Sequence, residues 1–234
     1  MTRRRAVAPP MVVAALCLFA LGGLSGARVT LALVTGSATV SHNTFTTGAW
    51  ATATTWYLHN NPTPPVAGTT AQFNLALDGT APTATTFYNY DTDCDARAGR
   101  SIKRGGGAVT ETGACLYATW RSAALPAART LNGTATLTTW ARKSSTGGTS
   151  PTLRAFLRVF DPGTSAYVEL GSANVSVTND SSTAWASYAL LWSLASVSVP
   201  AGRQIEVKIV ATGSNRDPEI AYDTSATPTS LQLP

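Results

Sequence analysis

Three aspartates at alternate positions form the most chemically loaded stretch of the sequence. Asp91, Asp93 and Asp95 lie two residues apart, so in an extended chain their carboxylates share one face. Three like charges on one face repel each other unless a cation lies among them, and oxygen-only ligand sets suit Ca²⁺. An EF-hand is excluded because Ala96 and Ile102 occupy the positions where its loop needs Gly and Glu. The triplet therefore predicts either a structural Ca²⁺ or a surface turn.

The surface-turn alternative is supported by basic residues that follow the aspartates. They are Arg97, Arg100, Lys103 and Arg104. Their spacing from the triplet lets guanidinium and ammonium groups neutralise the carboxylates without a metal. A surface turn neutralised by these basic residues therefore remains an alternative to the calcium site.

Two cysteines flank this basic stretch. Cys94 and Cys115 are the pair that remains when Cys17, which lies in the apolar N-terminal segment, is set aside. In an oxidising compartment an even pair indicates a disulfide. Closing a loop of this length would stabilise the fold by about 3 kcal/mol in the chain-entropy model. We therefore predict a Cys94–Cys115 bridge.

Residues for familiar catalytic sites are scarce. The only histidines, His42 and His59, lie early in the chain, so a Ser-His-Asp triad or a three-histidine zinc site lacks parts. A pair of carboxylates could serve a glycoside hydrolase, and acids in turns near the C-terminus are the candidates. These acids are Asp161, Asp217, Glu219 and Asp223. Because turn acids are commonly solvated, the sequence favours a protein that is not an enzyme.

One strand-like run carries a candidate contact surface. Phe156 and Phe160 alternate with the arginines Arg154 and Arg158 on the face opposite an aliphatic row. Aromatic rings beside guanidinium groups, when partly exposed, are typical of a binding surface. We predict these four residues as ligand-binding.

The elements that must position these residues are β-strands. Residues 131–141, 152–160 and 203–213 alternate apolar and other residues with a period of two. Gly, Pro, Asn and Asp separate these runs, as in 161–163 and 200–202. The sequence therefore predicts an all-β protein built as an antiparallel β-sandwich.

The N-terminus has the layout of a secretory signal. Three arginines precede an apolar run over 11–24, and cleavage after Ala27 or Ala38 fits the small residues there. The rival is an uncleaved anchor helix, which Arg28 disfavours. Removing residues 1–38 lowers the formal net charge from +5 to +1. The predicted organisation is a signal over 1–38, lead-in strands and a loop over 39–85, and a β-sandwich domain over 86–234.

The signal sequence and the net charge together limit the localisation and the partners that we expect for this protein. We expect a secreted or cell-surface protein that meets the membrane only through its leader. A net charge near zero after cleavage gives no basis for nucleic-acid binding.

The last hundred residues resemble secreted bacterial jelly-roll modules of the galactose-binding-like, carbohydrate-binding-module kind. The resemblance is carried by residues 185–192, 199–209 and 220–233. It implies a jelly-roll sandwich and a ligand such as an extracellular polysaccharide or cell-surface polymer. It also places Asp223 where such domains carry an acid near a structural calcium. We therefore predict that Asp223 joins the aspartate triplet around Ca²⁺.

A second resemblance lies just after the leader. Residues 38–48, Ala-Thr-Val-Ser-His-Asn-Thr-Phe-Thr-Thr-Gly, are similar to the start of camelysin- and biofilm-fibre-type surface proteins. This second resemblance implies a fibre or layer subunit that assembles by strand addition. The main prediction is thus a non-catalytic, polymer-binding module. A structural subunit and a glycoside or other hydrolase are the alternatives.

Overall fold

All regular structure in the described part of the chain is β-strand. The computed structural model describes residues 37–40, 43–46, 54–59, 75–85, 100–113, 115–213 and 215–234. The strands are β1 (Ser37–Val40), β2 (Asn43–Thr46), β3 (Thr54–His59), β4 (Leu75–Asp78), β5 (Arg100–Ser101), β6 (Tyr117–Ser122), β7 (Arg129–Lys143), β8 (Thr152–Asp161), β9 (Ala166–Ser176), β10 (Ala186–Val199), β11 (Gln204–Thr212), β12 (Pro218–Ala221) and β13 (Ser230–Leu233). The all-β prediction is confirmed. The predicted signal or anchor helix lies outside the described residues.

The chain divides into two units, Met1–Trp50 and Ala51–Pro234. In the first, the described residues form an antiparallel hairpin of β1 and β2. In the second, β3 pairs with β13 and β4 of the same sheet. The described residues contain no helix that is long and apolar enough to cross a membrane.

The described residues of the second unit form one curled sheet of eleven strands. Its pairs are antiparallel except for β4 and β6, which run parallel. Its order is β5-β12-β7-β13-β3-β4-β6-β11-β8-β9, and β10 pairs with the other edge of β7. The mostly antiparallel character is thus confirmed, while the jelly-roll connectivity and the domain boundaries stay predictions.

The core lies inside the curl of the sheet. The apolar rows that the period-two pattern assigned to one face, such as Leu153 to Val159 and Ile205 to Ala211, belong to this core. Trp120 on β6 meets Tyr222, which follows β12, edge to face with ring centroids 5.1 Å apart. Because β6 and β12 are far apart in the strand order, this contact shows the sheet folding over its own core.

Turn residues act as their chemistry predicts. Between β8 and β9, Asp161 accepts hydrogen bonds from the Gly163 amide at 2.9 Å and the Thr164 hydroxyl at 2.7 Å. Between β10 and β11, Gly202 has a φ of 79°, a left-handed conformation that favours glycine. These turns fix the registers of β8, β9, β10 and β11, and so place the residues of the cavity described next.

Candidate active-site cavity

A cavity of about 680 Å³ opens on the face of β6, β8, β11 and β9 that points away from the core. Small-molecule sites in proteins commonly measure about 300–1,000 Å³. The segment before β6 forms the opposite wall. The lining residues are Val109, Thr110, Thr112, Tyr117, Thr119, Arg121, Arg158, Phe160, Ser165, Tyr167, Glu169 and Lys208.

Strand register arranges these side chains in rows. Glu206 on β11 lies directly opposite Arg121 on β6 and Arg158 on β8. One step along, Lys208 lies opposite Thr119 on β6. Directly opposed residues of antiparallel strands share a face. The register therefore builds an Arg-Glu-Arg row beside a Lys-Thr row.

The Arg-Glu-Arg row is a buried ion-pair network. Arg121 donates from Nε and Nη2 to Glu206 Oε2 at 3.0 and 2.6 Å. Arg158 donates from Nε to Oε1 at 2.9 Å, and its Nη2 contacts the same oxygen. Glu206 is fully buried, and a buried charge needs partners of this kind. On its other side Arg158 lies opposite the exposed Glu169 on β9, so among the described residues Glu206 is the only buried carboxylate that faces these two arginines.

Aromatic rings pack over both guanidinium groups. Arg121 Cζ lies 3.7 Å from the Phe160 ring centroid, and Arg158 Cζ lies 4.1 Å from that of Tyr167. The Tyr167 hydroxyl also accepts a hydrogen bond from Arg121 Nη2 at 3.0 Å. Tyr167 is 46% exposed, so it marks the mouth of the cavity. Cation–π contacts and hydrogen bonds thus hold both arginines in fixed positions.

Lys208 is the third cation of the cavity and is buried. Its Nζ donates to the Val109 carbonyl oxygen at 2.8 Å and contacts that of Glu111. Burial, with a smaller effect of the Arg158 charge, lowers the pKa of Lys208 to about 8. Its Nζ also lies 4.3 Å from the Tyr117 ring centroid, and burial raises the pKa of Tyr117 to about 12. Near neutral pH, Lys208 is thus the group of this cavity that can exchange a proton.

The structure separates the four residues predicted as ligand-binding. Arg158 and Phe160 line the cavity. Arg154 packs over Phe156 at 4.7 Å and donates to Ser172 Oγ at 3.1 Å. The expected exposure of the rings is wrong, since Phe156 is 1% and Phe160 9% exposed. Phe156 packs with Tyr117, Val210 and Val109 in a small second core, which covers this face of the sheet.

Sequence reasoning missed the residues that complete the cavity. The alternation places Glu206 and Lys208 on the polar face of a strand, Tyr167 is one of several aromatic residues that could belong to a binding surface or a core, and Arg121 carries no signal in the sequence. The available signal was the pair Glu206 and Lys208 on the same face of an otherwise apolar strand. What the sequence could not supply was the register that sets them against Arg121, Thr119 and Arg158.

The predicted calcium ligands are only partly described. Asp91, Asp93 and Asp95 lie outside the described residues, as does Cys94. Asp223 lies after β12, with one carboxylate oxygen 2.7 Å from His59 Nδ1. Among the described residues, no group of three or more His, Cys, Asp and Glu side chains could hold a metal. The calcium site and the disulfide to the buried Cys115 stay predictions.

His59 also belongs to a site that the sequence did not reveal. Its Nδ1 faces Asp223, and its Nε2 lies 2.9 Å from the Thr80 carbonyl oxygen and 3.4 Å from Asp78. Both ring nitrogens thus face oxygen atoms. The Asp223 hydrogen bond, opposed in part by burial, raises the pKa of His59. This histidine therefore fastens the end of β3 to the segments that carry Thr80 and Asp223.

Solved structures resemble the chain at low sequence identity. An aminopeptidase from a marine sediment Thaumarchaeota archaeon has a TM-score of 0.52 and 10% identity, covering 77% of this chain and 36% of that chain. A CocE/NonD family hydrolase from Staphylococcus aureus has a TM-score of 0.47 and 11% identity, covering 78% and 36%. An α-amino acid ester hydrolase has a TM-score of 0.46 and 12% identity, and the match covers 78% of this chain and 36% of that chain. No family model and no curated protein matches the chain.

These neighbours correct two predictions. The neighbour with a TM-score above 0.5 carries a hydrolase name, and this finding contradicts the predictions of a non-catalytic module that binds glycan or another polymer and of a chain that is not an enzyme. The expectation that the chain is not an enzyme rested on the scarcity of histidines. It did not consider lysine, and the fold buries Lys208, with a lowered pKa, opposite Thr119 in a cavity. At 10% identity and 36% of the aminopeptidase's length, the likeness shows the fold alone.

Proposed function

We propose that this protein is a hydrolase that cleaves an ester or amide bond in the cavity on the outer face of β6, β8 and β11. The observation that carries the proposal is the directly opposed pair of Thr119 and Lys208, which both line that cavity. A hydroxyl nucleophile beside a basic amine is one of the known arrangements for acyl transfer.

The amine of Lys208 is held in an orientation that suits a general base. Its contacts with the carbonyl oxygens of Val109 and Glu111 use two N–H groups. A neutral lysine amine keeps two N–H groups, so its lone pair points elsewhere. Because the pKa of Lys208 is lowered to about 8, a useful fraction of this neutral form exists near neutral pH.

The steps follow from these groups. The Lys208 amine takes the proton of the Thr119 hydroxyl, whose oxygen attacks the substrate carbonyl carbon. The positive charge of Arg158, beside Lys208, stabilises the resulting oxyanion. When the tetrahedral intermediate collapses, the leaving alcohol or amine receives the proton from Lys208. Lys208 then takes a proton from water, and the resulting hydroxide attacks the acyl-threonine ester. As the acid is released, Lys208 returns the proton to the departing Thr119 oxygen.

The solved structures support this proposal by their names. The archaeal neighbour is called an aminopeptidase, and its likeness to this chain exceeds a TM-score of 0.5. The chain spans 36% of the length of that protein. The proposed reaction therefore uses only residues of this chain's own cavity.

The deciding experiment combines turnover with chemical trapping. The full chain is assayed with p-nitrophenyl esters and amino-acid p-nitroanilides, and acyl adducts are located by peptide mass spectrometry. We expect turnover, an acyl group on Thr119, and loss of both in Thr119→Val. Thr119→Ser retains activity, and Thr139→Val, which alters a buried threonine on β7, serves as the matched control. Absence of turnover by the folded wild-type chain, or equal activity in the two valine variants, would refute the proposal.

A further inference from the structure

The mouth of the cavity carries a cation whose hydrogen-bonding capacity is only partly used. Arg121 donates hydrogen bonds from Nε and Nη2 to Glu206, and its Nη2 also donates to the Tyr167 hydroxyl. In the part of the chain that the structure describes, no hydrogen bond engages its Nη1. A guanidinium has five N–H donors, so the Nη1 end remains available to a ligand.

The local charge favours a negatively charged ligand. Arg121, Arg158 and protonated Lys208 face a single buried carboxylate, that of Glu206. Two further carboxylates act here: Glu169, which is exposed and lies opposite Arg158, and Glu111, which is partly exposed and acts on Lys208. Positive charge therefore exceeds negative charge only among the buried groups, and an anion bound at Arg121 would neutralise it.

Arg121 is also held in place before a ligand arrives. Its guanidinium stacks on Phe160 at 3.7 Å and is clamped to Glu206 by two hydrogen bonds. Arg121 is the more exposed arginine of the row, with 15% of its side chain accessible against 8% for Arg158. A fixed and accessible cation loses little conformational entropy on binding.

The structure assigns to Arg121 the recognition of an oxyanion group, a carboxylate or a phosphate, carried by the compound that enters the cavity. This inference rests on the proposed hydrolase function, because it names the class of its substrates. Arg121 would bind the anionic group at the mouth, and the bond to be cleaved would lie deeper, beside Thr119 and Lys208.

The first measurement compares two esters whose acyl chains have the same length. The full chain is assayed with neutral p-nitrophenyl butyrate and with anionic p-nitrophenyl hemisuccinate. We expect kcat/KM to favour the anionic ester by about tenfold or more, the usual effect of a charge-assisted hydrogen bond. Arg121→Met should abolish this preference, and Arg121→Lys should retain part of it because the charge remains. Wild-type protein without a preference would overturn the inference.

The second measurement does not depend on catalysis. Calorimetric titration of the full chain with succinate and with inorganic phosphate tells the two oxyanions apart. At least one should bind, and Arg121→Met should weaken that binding about tenfold. Arg142→Met is the matched control, since Arg142 also pairs with a fully buried glutamate, Glu219, outside the cavity. Equal weakening in the two variants, or no binding of either anion, would contradict the assignment.

The two proposals fail in different ways. Anion binding that depends on Arg121, without turnover of any ester, would refute the hydrolase function and leave the anion site in place. Turnover of both esters, with no effect of Arg121→Met on the preference between them or on anion binding, would refute the anion site and leave the hydrolase function in place.

Discussion

His59 Nδ1 lies 2.7 Å from Asp223 Oδ1, although 164 residues separate them in the chain. The contact joins the end of β3 to the segment between β12 and β13. Asp223 adopts a φ of 60° to make it, a conformation that is uncommon outside glycine and is tolerated best by Asn, Asp and His. From the sequence, His59 belongs to the lead-in and Asp223 is a predicted calcium ligand. In the fold the two side chains contact each other.

This pair predicts a pH-dependent contribution to stability. The pKa of His59 is raised by Asp223, so the contribution is fully present below about pH 6.5, the unfolded value. It is lost as the pH rises through the folded-state pKa. We expect the melting-temperature advantage of the wild type over Asp223→Asn to be larger near pH 5.5 than near pH 8.5, as measured by thermal denaturation.

The control for this prediction is an acid without a histidine partner. Asp180 lies in an exposed turn and bonds to Ser182. Asp180→Asn should show a melting-temperature difference from the wild type that is constant over the same pH range. An Asp223→Asn difference that also stays constant would show that the His59 contact does not couple protonation to folding.

The buried carboxylate of Glu206 gives a second prediction. Glu206→Gln leaves Arg121 and Arg158 facing each other without an anion between them. Loss of one member of a buried ion pair typically costs about 3–5 kcal/mol. Urea unfolding should therefore show a large loss in the free energy of unfolding, and salt should change it little because buried charges are only weakly screened.

Glu219→Gln is the matched comparison for that loss. Glu219 is equally buried and pairs with Arg142, outside the cavity. Its replacement also removes the anion of a buried pair and should cost stability, but it should leave turnover and anion binding in the cavity unchanged. Loss of turnover in a folded Glu219→Gln variant would show that the effect of Glu206→Gln is not specific to the cavity.

Lys208 supplies the third prediction, which concerns activity. Its pKa is lowered to about 8 by burial, and Arg158, Glu206 and Glu111 are the charges that act on it. Because the neutral amine is the working form of the proposed base, kcat/KM should rise with pH and level off above about pH 8. A pH profile that falls through this range would exclude Lys208 as the base.

Lys208→Arg tests the same residue by chemistry rather than by pH. Arginine can donate to the carbonyl oxygens of Val109 and Glu111 but stays protonated in proteins. The variant should fold and lack activity at every pH, while Lys143→Arg, at a buried lysine on β7, should behave like the wild type. Retained activity in Lys208→Arg would show that Lys208 only anchors the wall of the cavity.

The sequence predicted faces of strands better than it predicted their surroundings. A period of two correctly put Leu157 and Val207 in the core and Arg158 and Glu206 on the other face. The pattern could not show that the second face is also buried. The residues that cover it belong to the segment before β6 and to a neighbouring strand. Burial of Phe156 and the low pKa of Lys208 both follow from that cover, and it is set by contacts distant in sequence.

The last prediction concerns the segment that covers the cavity. Gly107 has a φ of +68°, and a Cβ built on it would overlap the Thr212 Cγ2 atom. Its carbonyl oxygen accepts a hydrogen bond from Arg154 at 3.5 Å, and the Gly105 amide donates to Ala211 at 2.9 Å. Gly107→Ala therefore forces either the Thr212 side chain or the segment itself to shift.

We expect Gly107→Ala to lose about 1–2 kcal/mol from the left-handed backbone alone, and more from the overlap. Gly106→Ala is the control, since a Cβ there meets nothing within 4 Å. Moving the segment also shifts the carbonyl oxygens of Val109 and Glu111 that hold Lys208. Urea unfolding should therefore rank Gly107→Ala below Gly106→Ala, and the Gly107 variant should lose ester turnover while it remains folded. Equal stability and turnover in the two variants would show that the segment does not shape the cavity.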